Sequence, residues 1–382
     1  MKKPILILIL SVFYMFCSGQ DSSTRRKYEL NGYIKDMQSV VFTNDFRNAD
    51  YTNLIHNRIN FKWKPSQKVT GAIEIRNRFY WGSDARTIVR DNQNLQGENE
   101  KADLSANWYS HGNKVFYSNV DRLWMDYRSS KWNFRAGRHR VNWGMTSVWN
   151  PNDIFNSYNF LDFDYEERPG CDAVKAQYMI NDMSNIEATI SAAGNGEAIM
   201  GAKYFFNKSG YDLQFISGFY HNSFTGGFGW AGNISEFGYK GEVQFYINKI
   251  DSLNSLNATM EGDYIFQNGW YINLALLYNE QGLNAPVSGW TDIKFKISPD
   301  NLMPAKWNFL TSTSKQFNSL FSGNLAIVYS PGINMLIFFP SFNYNLSPHF
   351  DLDFVWQSFF LELNKKFRGV AHAGFLRVKW SF

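Results

Sequence analysis

The chain closes on "GFLRVKWSF", Gly374–Phe382. Leu376, Val378, Trp380 and Phe382 recur at every second position, with Arg377 and Lys379 between them, which is the period of a strand with one apolar and one polar face. A chain end left in water frays, so an aromatic last residue on an apolar face calls for a neighbouring strand. The same alternation returns upstream. In "LIHNRINFKW" (54–63), Ile55, Ile59, Phe61 and Trp63 oppose His56, Arg58, Asn60 and Lys62. "AIEIRNRF" (72–79) sets Ile73, Ile75 and Phe79 against Glu74, Arg76 and Arg78, and "YKGEVQFYI" (239–247) sets Val243, Phe245 and Ile247 against Lys240, Glu242 and Gln244.

Periodicity alone fits a soluble sandwich equally well, and loop length decides between the two. Short turns ("RSSK" near 129, "NKSG" near 208, "QNGW" near 268, "NLSPH" near 346) alternate with long connections at 81–114, 144–170 and 281–303. A membrane β-barrel has this asymmetry, with tight turns at the periplasmic rim and long loops outside. The fold expected is all-β: a closed antiparallel transmembrane up-and-down barrel of about eighteen strands, from 29–42 to 370–382, with one long loop folded into the lumen. The Gly-rich strand at 226–236 and the one at 304–314 are the least distinct, and without them the count is sixteen. An even number puts both termini on the periplasmic side, and the final strand pairs with the first, Trp380 and Phe382 forming the closure.

Composition agrees. Of 382 residues, 18% are aromatic and 44% hydrophobic, yet after Phe16 no run approaches the ~20 apolar residues of a spanning helix. Residues 1–19 carry Lys2 and Lys3, an apolar core and small residues before Gln20, the plan of a secretory signal, leaving 20–382 as the barrel. Bulky Phe16 precedes Cys17 where lipidation needs a small residue. Cys171 is then the one remaining thiol, so neither a disulfide nor a paired-cysteine metal site can be drawn.

The segment 131–178 is the most distinctive. Trp132, Phe134 and Ala136 share a face, but Val141 and Trp143 fall on the other parity, and a bulge at Gly137 would repair the phase and turn Arg135, Arg138, Arg140 and Asn142 into the lumen. Its pattern "GR…NWG…WNP.D.FN…DFD..ERPG.DA" reads here as Gly137, Arg138, Asn142, Trp143, Gly144, Asn150, Pro151, Asp153, Phe155, Asn156, Arg168, Pro169, Gly170, Asp172 and Ala173. In these residues the chain resembles the outer-membrane porins related to alginate-export channels. That resemblance implies an eighteen-strand channel with a lumen loop, an arginine-lined path for anions or acidic sugars, and a terminal Phe382 read by the outer-membrane assembly machinery.

The inward positions of the early strands carry Arg58, Lys62, Arg76, Arg78, Arg122, Arg128, Arg135, Arg138, Arg140 and Lys175, against Glu74 and Asp126. Later strands carry Glu187, Asp212, Glu242, Glu261, Asp263, Asp351 and Asp353, so a field would cross the pore and favour anions. Such residues also serve simply to solvate a polar interior. The constriction is expected from Asn150, Pro151, Asp153, Asp162, Asp164, Glu166, Glu167 and Arg168. His221 and Ser223 at a strand end are similar to outer-membrane phospholipases, but Phe224 replaces the Asn expected after the serine, and neighbours in a strand point apart. The six histidines show no paired metal spacing, and "DFDYEE" lacks the Gly of a calcium loop. The expected function is therefore non-enzymatic and cofactor-free: passive diffusion of small anionic or carbohydrate solutes. Lipid bilayer and lipopolysaccharide surround the barrel, and nucleic acid has no role, since the signal lysines inflate the pI of 8.8. The alternative is a non-conducting barrel serving as an assembly subunit among outer-membrane protein partners.

Overall fold

The computed structural model describes residues 26–43, 46, 48–83, 85, 100–156, 161, 162, 164, 167–193, 197–248, 254–289, 292, 293 and 297–382. The expected signal segment, 1–19, lies outside them. Nineteen strands are found among the described residues: β1 Tyr28–Thr43, β2 Ala49–Trp63, β3 Val69–Gly82, β4 Ser105–His111, β5 Lys114–Arg128, β6 Trp132–His139, β7 Cys171–Asn181, β8 Ser184–Ala192, β9 Ala198–Lys208, β10 Tyr211–Tyr220, β11 Ser223–Ile234, β12 Phe237–Asn248, β13 Ser255–Ile265, β14 Trp270–Asn279, β15 Trp307–Gln316, β16 Phe321–Ser330, β17 Met335–Ser347, β18 Phe350–Leu363 and β19 Lys366–Ser381. Each pairs antiparallel with its neighbour, except that β3 pairs with β5 and passes over β4. Strand β19 returns to β1, so eighteen strands form a closed ring and β4 branches from it.

Closure is made by the final residues. Ile34 faces Trp380 and Tyr33 faces Ser381 across the seam, and Gly32 and Phe382 exchange backbone hydrogen bonds of 3.1 and 3.0 Å. Outward side chains are large and apolar: Trp63 is 40% exposed, Phe245 39% and Leu376 46%, which rules out a sandwich that would bury them. Lipid solvates such a surface, while the ring satisfies the backbone that hydrocarbon cannot.

The rims are less asymmetric than the loop pattern suggests. Ser209–Gly210 at one rim and Asn364–Lys365 at the other both take positive φ at the two central residues, the geometry of a tight hairpin turn. The long connections are confined to three places, leading from β3 to β5, from β6 to β7 and from β14 to β15.

The interior is tiered. Near the strand ends that carry the long connections, inward positions are apolar and packed: Leu277, Leu310, Met335 and Leu361 with Trp149 and Met303; Cys171, Ile199 and Tyr246 with Trp143 and Phe155; Leu54, Val115 and Tyr117 with Met37. Below them the inward positions are charged, amide or hydroxyl. A polar interior with one long loop folded into it was expected. The upper tier departs from it because in-folded connections lie against those walls and exclude water from them.

Candidate functional site: a strap across the lumen

Strand β6 ends at His139, four residues before the strand read over 131–143. Gly137 takes φ +110°, and a Cβ there would meet the Leu123 carbonyl oxygen at 2.2 Å, so glycine is required. The bulge expected at Gly137 is not there: β6 runs in unbroken register with both neighbours. The slip sits on β5, where Glu74 faces Arg122 but Ile75 faces Val120, leaving Asp121 as the extra residue. The parity change at Val141 and Trp143 marks the departure of the chain into the barrel, where both are buried against β7, β9 and β10.

The described residues between Arg140 and Gly170 form a strap held by opposite walls. On one side, carboxylates of the wall accept from strap amides. Glu242 of β12 takes the backbone N–H groups of Met145, Thr146 (2.7 Å) and Asn152 (2.8 Å) and the Thr146 hydroxyl at 2.9 Å. Glu261 of β13 takes those of Ser147 and Val148 at 2.8 and 2.9 Å. Trp143 Nε1 donates to Glu187 at 2.6 Å, and Asn152 bridges Gln214 and Gln244 at 2.9 Å each. Gly229 of β11 leaves room for this contact, since a Cβ would lie 2.6 Å from Asn152 Oδ1.

On the other side, strap carboxylates meet cations of the wall. Asp164 lies 2.8 Å from the Lys35 ammonium of β1 and 3.6 Å from the Arg377 guanidinium of β19, and shares a 3.3 Å hydrogen bond with the His56 imidazole of β2. Glu167 accepts from the Tyr33 hydroxyl at 3.1 Å and sits 3.6 Å from Arg58. Burial works against the Asp164 charge, but the His56 hydrogen bond and the charges of Lys35 and Arg78 hold its carboxyl well below the usual carboxylate range. Asp153, buried in the middle of the strap, is the reverse: burial pushes it up to about 7 despite Arg140 and Arg168 nearby.

Of the expected constriction residues, Asn150, Pro151 and Asp153 are buried, and Arg168 Nη1 donates to Asn150 Oδ1 at 2.7 Å. Asp162 is exposed, and Glu166 lies outside the described residues.

The basic positions are largely spent within the wall. Arg58 reaches Asp121 (2.5 Å) and Glu74 (2.6 Å), Arg76 reaches Asp121 (3.1 Å), and Arg128 and Arg135 share Asp126 at 2.8 and 2.9 Å. Lys175 lies 3.6 Å from Glu187, Arg78 donates to the Tyr117 hydroxyl at 3.1 Å, and Arg122 donates to the Arg168 and Asp121 carbonyls. Lys62 lies on the inward parity of β2, and Arg140 donates to Asn142 within the strap.

Arg138 corrects the expected set. It shares the outward parity of Leu123 and Val174, bound to Asp172 at 2.8 Å and Glu100 at 3.0 Å and covered by Lys101 and Ala102, so it does not face the lumen. Pairing and cover remove the cost of an arginine against lipid, which was the reason to expect a bulge. His221, set beside a serine in the enzymatic reading, pairs with Glu197 at 2.6 Å. Sequence reasoning passed over Lys35 and Asp121: the first on an early strand of mixed parity, the second turned inward by the β5 bulge.

A closed ring with an apolar exterior and a charged interior defines the class, a membrane-spanning β-barrel of the outer-membrane type. No family model and no curated protein matches the chain. Among solved structures it is similar to OccAB2 of Acinetobacter baumannii (TM-score 0.58, 9% identity, 95% of this chain and 99% of that one). It is also similar to OpdQ of Pseudomonas aeruginosa (0.58, 7%, 94% and 99%) and to the outer membrane protein opdK from Pseudomonas aeruginosa (0.56, 8%, 93% and 98%). At these identities the likeness is one of fold, and it extends over nearly the full length of each chain.

Proposed function

We propose that this barrel is an outer-membrane channel for passive diffusion of small polar solutes, with the strap 140–170 setting the width of its passage. The observation that carries the reading is the double anchorage. A segment joined to one wall through Glu242 and Glu261 and to the other through Asp164 and Glu167 crosses the lumen instead of lining it. In this reading the fold likeness to outer-membrane proteins supplies the location, lipopolysaccharide and lipid surround the aromatic exterior, and the assembly machinery reads the terminal Trp380 and Phe382. The resemblance to alginate-export porins would extend the cargo to acidic sugars, and the paired state of Arg58, Arg76 and Arg135 weighs against strong anion preference.

A second reading is favoured by the three apolar clusters of the extracellular tier: a closed barrel acting as an assembly subunit. Planar-bilayer recording of the purified barrel separates the two. Steady ion-permeable openings support the channel; electrical silence with stoichiometric co-purifying outer-membrane proteins supports the subunit.

A further inference from the structure

Below the strap, the wall formed by β14 to β19 anchors it only at its β18–β19 edge, where Gln357 donates to the Leu161 carbonyl oxygen at 2.6 Å and Arg377 lies 3.6 Å from Asp164. A cavity of about 670 Å³ lies there, within the range of small-molecule sites, roofed by Ser147 and Val148 of the strap. Its lining follows the sheet register. Tyr271, Ser314, Asn324 and Ser341 stand opposite one another in a single row across β14 to β17. The next row toward the periplasm holds Gln316, Ser322, Asn343, Asp353 and Arg377, and the row above holds Ser312 and Phe339. Directly opposed residues lie about 5 Å apart, so each row is a polar shelf.

The charge on this shelf is internally cancelled. Arg377 Nε donates to Asp353 at 2.8 Å, its Nη1 lies 3.6 Å from Asp164, and Asn343 donates to the other Asp353 oxygen at 2.7 Å. Lys315 borders the cavity, but it stands on the opposite parity to Ser314 and its ammonium lies over the Trp270 ring at 5.2 Å. Besides the Asp353–Arg377 pair, the polar groups turned into the cavity are then hydroxyls and amides, which both donate and accept, beside the rings of Tyr271 and Phe339 and the apolar Leu310 and Val355. A carboxylate or phosphate ligand would lose water without gaining an uncommitted cation, whereas ring hydroxyls match hydroxyl and amide partners and a sugar's C–H face matches an aromatic ring.

From this geometry we infer that the β14–β19 shelf is a binding subsite for a neutral polyhydroxylated solute, a mono- or disaccharide, entering from the periplasmic half of the lumen. The inference rests on the channel reading for its biological sense but not for its measurement. The detergent-solubilised full barrel is titrated calorimetrically with maltose and, separately, with a digalacturonate of the same ring count. Saturable maltose binding tighter than digalacturonate binding is expected. Ser314→Val and Ser341→Val should each weaken it about tenfold, and Ser314→Thr and Ser341→Thr, which match valine in shape but keep the hydroxyl, should preserve it. Equal or tighter binding of the acidic sugar, no saturable maltose binding, or Val and Thr variants that behave alike would overturn the assignment. Bilayer recording on the same preparation keeps the two readings apart. Maltose binding without channels removes the channel and leaves the subsite, while channels without maltose binding remove the subsite alone.

Discussion

The two ends of the strap reach their walls by opposite chemistry. At Met145–Asn152 the strap gives backbone N–H donors and the wall gives carboxylates; at Asp164–Glu167 the strap gives carboxylates and the wall gives cations. The first end carries no charge of its own and is fixed chiefly by its backbone N–H groups, with the Thr146 hydroxyl and the Asn152 amide adding side-chain bonds. The second depends on two particular acids. The walls therefore differ in role more than in sign: the acidic wall is a cradle for a turn, and the basic wall is a latch.

Breaking the cradle should have the larger effect. Glu242 is fully buried and serves three amides and a hydroxyl, so Glu242→Leu leaves those donors without partners, at about 3–5 kcal/mol. Hydrogen–deuterium exchange over residues 143–156 should accelerate accordingly; unchanged protection would mean the apolar contacts of Trp143 and Phe155 suffice. Asp164→Asn removes the charge that pairs Lys35 and leaves the ammonium its 2.9 Å bond to the residue-164 carbonyl, at a cost of about 1.5–3 kcal/mol, and exchange should accelerate around 161–168 with the cradle unaffected.

Acidity should sharpen the contrast, because the two buried aspartates shift in opposite directions. The Asp164 carboxyl is depressed when folded, so its contribution is present above the unfolded value near 4 and is lost as pH falls through the folded value. The Asp153 carboxyl is raised to about 7, so the folded strap keeps a proton that the free chain releases, and its stability declines as pH rises from about 4 to about 7. Strap opening should be more frequent at pH 8 than at pH 6, read as open probability in bilayers, and Asp153→Asn should abolish the difference. The smallest effect on permeation belongs to Arg138, which the structure turns away from the lumen. Arg138→Gln should loosen residues 100–102 in exchange measurements and leave reversal potentials unchanged, and a shift toward cations would place Arg138 in the pathway after all.

Most of the barrel could be read along the chain, because outward and inward residues must alternate wherever one face meets lipid. "GFLRVKWSF" announced its own seam, and the eighteen ring strands follow the expected rhythm to within a few residues. Strand β4 escaped notice because it is only seven residues long and lies within a connection. The parity break at Val141 was visible, but a bulge and a departure from the wall produce the same local pattern. Only the packing of Trp143 on Cys171 and Ile199 tells them apart. The latch was half legible: Asp164 and Glu167 stood out as acids amid aromatics, while Lys35, His56 and Arg377 come together only when the ring closes. The cradle was illegible in principle, since a backbone N–H carries no mark in a sequence. Asp121, which absorbs Arg58 and Arg76, could not be placed inward without the extra residue in β5.

The central claim is that a doubly anchored strap, and not the ring of paired arginines, sets the passage. It is tested most directly by single-channel conductance of the barrel with residues 150–165 deleted, compared with the intact chain in the same salt. The account predicts a conductance several-fold larger, with little change in charge selectivity. Equal conductance in the two proteins would put the limiting aperture elsewhere and contradict it.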